Sequence, residues 1–226
     1  YSAYLKDKQS HIYIEHVRGL YNVLKRVKAK YPELPMMLCS GGGARCDYEA
    51  LKYFTEFWAS DNTDGVERIY IQWGFSHLFP AKSIAAHVTS WGKQPLKFRL
   101  DVAMMCKLGF DIQLKEMSEN EQKLCQDVVK NFKRLQPVIL DGDMYRLVSP
   151  YDTDHAAVIY NSKDKNKAIL FAYDIHPRFA EQLQPVRLNG LDPDKRYKVE
   201  EINVIKEDRQ GRRPMPSVNG QIYSGD

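Results

Sequence analysis

Residues Leu38 to Asp64 read LCSGGGARCDYEALKYFTEFWASDNTD. The apolar run Met36-Met37-Leu38-Cys39 leads into Ser40-Gly41-Gly42-Gly43, a pattern that predicts a buried strand ending in a loop almost without side chains. The aromatic run Phe57-Trp58-Ala59-Ser60 leads into Asp61-Asn62-Thr63-Asp64, a second strand that ends in acid. Successive strands that end in small and acidic groups gather those groups around one cavity, which is how enzymes with parallel sheets build their sites.

Working outward, helical and strand-like segments alternate up to about residue 140. Ser10 is placed to cap a helix whose apolar positions, Ile12, Val17, Leu20, Tyr21, Leu24 and Val27, recur at helical steps, and Tyr31-Pro32 stops it. The strand at Met36–Cys39 comes next. A helix is expected over Tyr48–Phe54 and a strand over Phe57–Ser60. A helix over Asp64–Trp73 would be capped by Thr63, followed by a strand at Ile84–Val88. Leu96–Leu108 reads as helix, Phe110–Leu114 as strand, and Glu119–Leu135 as a long amphipathic helix starting at Ser118. Such alternation means parallel strands joined by crossover helices. Beyond Pro137 the helical period vanishes. Short strand candidates at Met144–Val148, Ala156–Asn161, Ala168–Tyr173, Pro185–Leu188 and Tyr197–Ile202 are separated by turn clusters, as in an antiparallel β domain of sandwich type. The expected division is 1–141, α/β, and 142–226, all-β, with the closing Gly225-Asp226 turn inviting a further strand.

Composition narrows the classes. The 226 residues are 43% hydrophobic, enough for a sizeable core, and the net charge of +4 is mild. Basic residues gather only at Lys25–Lys30, Lys163–Lys167 and Arg209–Arg213. The first is a solvated helix face and the others are turns, so no nucleic-acid partner is expected. No apolar run reaches the length of a membrane span. The four cysteines lack metal-ligand spacing, so no zinc or other metal is expected and no cofactor is implied. Cys39, Cys106 and Cys125 read as reduced, buried thiols.

Four blocks of this chain resemble family 36 of the glycoside hydrolases, the α-galactosidase family. They are Cys39–Asp47, a C-S-G-G-G-x-R-x-D loop; Trp58–Asp64, W-x-S-D-N-T-D; Arg68–Pro80, R-x-x-I-Q-x-G-x-S-x-x-x-P; and His87–Thr89. Order and gaps match as well. Ala44 replaces a glycine, Phe79 a tyrosine and Thr89 a serine of the family pattern. The resemblance implies a (β/α)8 barrel followed by an antiparallel β domain, with this chain carrying the second half of the barrel and most of the β domain. The family's nucleophile is the Asp of a K-W-D-x-N strand end, which does not occur here and is expected upstream of Tyr1. The activity implied is retaining, exo-acting hydrolysis of terminal α-linked galactose. Related family specificities are α-N-acetylgalactosaminidase and galactosyl transfer of the raffinose or stachyose synthase type. A third reading is an inactive, folded or self-associating piece.

A retaining glycosidase needs a nucleophile and a proton donor on two carboxyl groups about 5–5.5 Å apart. The family counterpart of Asp61 is the acid/base, and the rival reading is a mere helix cap. Asp64, three residues on, complements the N-terminus of the following helix. The glycine loop lacks the Lys-Ser/Thr that a phosphate cradle requires, and a simple tight turn is its bland reading. The resemblance implies instead that Cys39, Ser40, Gly41 and Gly42 face the galactosyl ring, with Cys39 near its 2-hydroxyl, although a buried cysteine is ordinarily a core residue. Arg45 and Asp47 are expected to pair and hold the loop. Trp58 reads as a strand-end core aromatic ahead of a sugar platform, and His87 as a hydrogen-bonded core histidine. The partners expected are an α-galactoside oligosaccharide and a second copy of the chain.

Overall fold

The computed structural model describes residues 1–179, 181, 184–204 and 218–226. The basic run Arg209–Arg213 lies outside them. The chain divides into two compact units, Tyr1–Trp58 and Ala59–Asp226.

In the first unit, helix α1 spans Ile12–Lys30. Ser10 does not cap it. It sits inside a 3-10 turn, Gln9–His11, so the backbone is already helical where a cap would need extended geometry, and the residue before the helix, His11, offers no side-chain bond. Strands β1 (Met37–Leu38) and β2 (Glu56–Trp58) pair in parallel, Met37 opposite Glu56 and Leu38 opposite Phe57. The expected parallel neighbours are therefore present, although β2 starts and ends earlier than its apolar run suggested. The helix expected over Tyr48–Phe54 is only a 3-10 turn, Ala50–Lys52. Asp47 accepts the Ala50 amide at 2.8 Å, which starts a turn. Aromatic and β-branched residues at Tyr53, Phe54 and Thr55 then favour extension over another helical turn.

The second unit begins with helix α2 (Gly65–Phe75), strand β3 (Ile84–Thr89), helix α3 (Leu96–Met104) and strand β4 (Lys107–Asp111). β3 and β4 run parallel, Ala85 opposite Lys107 through Thr89 opposite Asp111. β3 is buried at nearly every position, as befits a parallel strand covered on both faces. β4 begins within what reads as the end of a helix, because the apolar stretch around Met104–Leu108 has no period to separate helix from strand. Gly109 shows why the register holds: it lies opposite His87, and a Cβ there would come within 2.3 Å of that ring.

Helix α4 (Glu119–Asp141) opens with a capping box in which Ser118 and Glu121 satisfy each other's backbone amides. Its buried stripe, Cys125, Val128, Phe132, Leu135, Val138 and Ile139, runs straight through Pro137. The loss of helical period expected beyond Pro137 is thus corrected. A proline near the end of a helix removes one donor, and burial of Val138 and Ile139 on the same face offsets that loss.

Strands β5 (Asp143–Val148), β6 (His155–Asn161) and β7 (Ala168–Asp174) form an antiparallel meander. Tyr160 donates to the Met105 carbonyl at 2.8 Å and Tyr173 to that of Asp101 at 2.9 Å, which ties this sheet to α3 and the turn after it. Pro185–Leu188 is not a strand. The expected Tyr197–Ile202 strand shortens to β8 (Arg196–Lys198), which pairs antiparallel with β9 (Ile222–Ser224), a strand that no sequence signal beyond the closing turn announced. Asn203, in the left-handed region at φ 58°, ends that segment. The architecture is mixed α/β, with parallel pairs first and antiparallel sheets after. No described helix is long and apolar enough to cross a membrane.

Candidate active site

The glycine loop belongs to the first unit. Gly41 and Gly42 adopt φ of 57° and 79°, which a residue with a Cβ resists, so these two glycines are needed for the backbone path itself. Ser40 bridges to Gly43 and its amide reaches the Gly42 carbonyl at 3.2 Å, closing a tight loop. Because β1 stops at Leu38, Cys39 lies beyond the strand at the loop's mouth and is exposed. The expectation of a buried thiol fails there and holds for Cys106 and Cys125. The Cys46 thiol is pushed up to about 11 by burial, aided by the neighbouring Asp47 and Cys39.

The anchor of this loop is not the expected pair. Arg45 is exposed and, among the described residues, forms no ion pair with Asp47. Asp47 instead accepts the Tyr21 hydroxyl from α1, 2.6 Å to each carboxylate oxygen, and the Ala50 amide. Burial, then the bond to Asp47, raises the Tyr21 phenol well above its ordinary value. Nothing in the local sequence named Tyr21, which read as one more apolar helix position. Trp58 ends β2 half-buried.

The acid loop opens the second unit. Asp61 is exposed, whereas the residues after it turn inward. The Asn62 side chain accepts the Asp64 amide at 3.1 Å, and Asp64 accepts the amides of Val66 and Glu67 at 2.9 and 3.2 Å, capping α2. The helix cap is therefore Asp64, and Thr63 is corrected. The Thr63 hydroxyl is buried against that of Thr89 at 2.8 Å, joining the acid loop to the end of β3. Beneath the loop, Arg68 is 2% exposed and donates to the Ala85 carbonyl at 2.8 Å and to that of Ser60 at 3.4 Å. Burial lowers its guanidinium pKa. A small cavity of about 10 Å³ lies between Thr63, Arg68, His87, Thr89 and Arg99, far too small for a sugar ring. His87 lines it half-buried. A larger groove of about 530 Å³, between the loop after α2 and β5, contains none of the candidate residues.

Chemically, the Asp64 carboxylate serves as a helix cap, and the Asp61 carboxylate is solvent-exposed on the same loop. Parallel strand pairs joined by helices, with a glycine loop after β1 and an acid loop after β2, are features of α/β proteins that carry their sites at strand ends. The comparisons place the chain further: residues 1–142 match the Melibiase family and residues 155–226 the glycosyl hydrolase family 36 C-terminal domain. The chain belongs to glycoside hydrolase family 36. It is 35% identical over 193 residues to probable alpha-galactosidase C of Aspergillus terreus, covering 82% of this chain and 26% of that protein. It is 31% identical to alpha-galactosidase AgaA of Geobacillus stearothermophilus over 90% of this chain and 29% of that protein. The crystal structure of AgaB from the same organism superposes with a TM-score of 0.81 at 30% identity over 92% of this chain and 27% of that one. The alpha-galactosidase of Lactobacillus brevis superposes with a TM-score of 0.84 at 26% identity over the whole chain and 29% of its own. The chain thus spans about a quarter of the length of these relatives.

Proposed function

We propose that this chain carries the proton donor of a retaining exo-α-galactosidase that removes terminal α-linked galactose from oligosaccharides, with Asp61 as acid/base. The observation that supports this most is the solvent exposure of Asp61, the family's acid/base position, on a loop braced by Arg68 and Thr63, where a substrate can reach its carboxyl group. In this reading residues 1–141 are the second half of a (β/α)8 barrel and 142–226 a β domain that contributes no catalytic group. Cys39, Ser40, Gly41 and Gly42 line the galactose site. The nucleophile comes from a strand preceding Tyr1 in a longer protein, and the chain by itself does not turn over α-galactosides and associates with a second copy.

The test is Asp61→Ala in the full-length protein. The kcat/KM for α-galactosides with a sugar leaving group, which reports the step that needs the proton, should fall by about 10²–10⁴-fold, the usual worth of general acid catalysis, and that for an activated nitrophenyl galactoside much less. Equal losses on both substrates would remove Asp61 from the donor's role.

A further inference from the structure

We infer that Trp91 is a platform for the leaving-group sugar, a specificity-determining residue on the far side of the scissile bond from the galactose; this rests on Asp61 being the proton donor. Trp91 is 56% exposed, a large apolar ring left in solvent two residues beyond the end of β3. A single exposed aromatic is unremarkable on its own. What distinguishes this one is how its backbone is fastened to the acid loop.

The Trp91 amide donates to the Thr89 hydroxyl at 3.2 Å, and that same hydroxyl is bonded to Thr63, two residues after Asp61. The next residue, Gly92, takes φ 85° and passes so close to the acid loop that a Cβ there would fall 2.2 Å from Asp64 Oδ2. Gln94 then donates to Asp64 Oδ1 at 3.4 Å. At the base of the loop, Arg99 donates to the Thr89 carbonyl. The segment from Thr89 to Gln94 is therefore held against Thr63 and Asp64 at its two ends, and the Trp91 indole is largely exposed.

Chemistry then assigns the side. A general acid delivers its proton to the glycosidic oxygen, the atom that leaves with the aglycone. A surface carried by the donor's own loop neighbour faces the departing group, while the galactose ring belongs to the site that holds the nucleophile. A hexose offers an apolar face of C–H groups, and a rigid indole provides a large contact area at little entropic cost.

The experiment compares an α-galactosyl disaccharide with α-galactosyl fluoride, whose leaving group has no ring and departs without a proton donor, in the full-length protein and its Trp91→Ala, Trp91→Phe and Asp61→Ala variants. Trp91→Ala should lose about tenfold in kcat/KM on the disaccharide, chiefly through KM, and stay within about twofold on the fluoride, with Trp91→Phe recovering part of the loss. An unchanged disaccharide-to-fluoride ratio in Trp91→Ala, whether both rates fall or neither does, overturns the platform. The Asp61→Ala arm, read in kcat/KM, separates the two claims: loss on the disaccharide with the fluoride spared upholds the donor independently of Trp91. If that arm spares both substrates, the donor reading fails and the platform falls with it.

Discussion

Asp61 and Asp64 stand three residues apart on one loop and do different work because of what each side chain can reach. Asp64 has two free amides of a helix start within hydrogen-bond distance and a helix dipole to complement. Its replacement by alanine should cost about 1 kcal/mol of stability, whereas asparagine, an equally good cap, should cost only a few tenths. Urea unfolding of the two variants checks this, and equal losses would mean that the charge rather than the cap is what matters. Tyr21 makes the same point for the glycine loop. Its hydroxyl supplies the anchor that Arg45 was expected to provide, because a phenol on a rigid helix meets Asp47 at less entropic cost than an exposed arginine stem.

Among the elements, α4 states its start most plainly. The Ser118–Glu121 capping box is local, and the stripe behind it is long. Ser118→Ala should destabilise by about 1 kcal/mol. The bonds from Ser118, side chain first and then backbone, hold the Glu121 carboxyl below its ordinary 4.5. A carboxyl depressed on folding stabilises above its unfolded value, and that contribution is lost as pH falls through the folded value. The stability gap between wild type and Ser118→Ala should therefore be full at neutral pH and narrow as the pH drops below 4.5, measured by denaturant titration across that range. A gap that does not change with pH would remove Glu121 from the cap. β8 is the opposite case. Its ladder is completed by β9, more than twenty residues later in the chain, so its length could not be read from its own residues.

At the scale of the molecule, the second unit is tied together by Asn203. It is 7% exposed, donates to Asp101 Oδ1 at 2.8 Å on α3, and accepts from Asn131 at 2.9 Å on α4. It does so from the left-handed region, which asparagine tolerates better than other residues with a side chain. Asn203→Ala loses the part-buried hydrogen bonds to Asp101 and Asn131 and strains the backbone, and should cost about 2–3 kcal/mol in unfolding free energy. Asn203→Gly relieves the strain but not the lost bonds, and should fall between. If the alanine variant unfolds within about 0.5 kcal/mol of wild type, the loss typical of an unimportant surface site, Asn203 is no tie.

What the sequence determined by itself is what contiguous residues decide. The buried run of β3, the stripe of α4, the capping box at Ser118 and the positive-φ turn at Gly41-Gly42 all follow from periodicity and short-range bonding within a few residues. The four motif blocks located both candidate loops for the same reason, since each loop's residues lie together in the chain. Tertiary structure decided the rest. It buried Thr63 against Thr89, fastened Asp47 to Tyr21, carried α4 through Pro137, left Pro185–Leu188 without a ladder and set Trp91 beside the acid loop. In each of these the deciding partner is distant in sequence or is the burial of a face. Only closing the chain brings that partner within hydrogen-bond or packing distance.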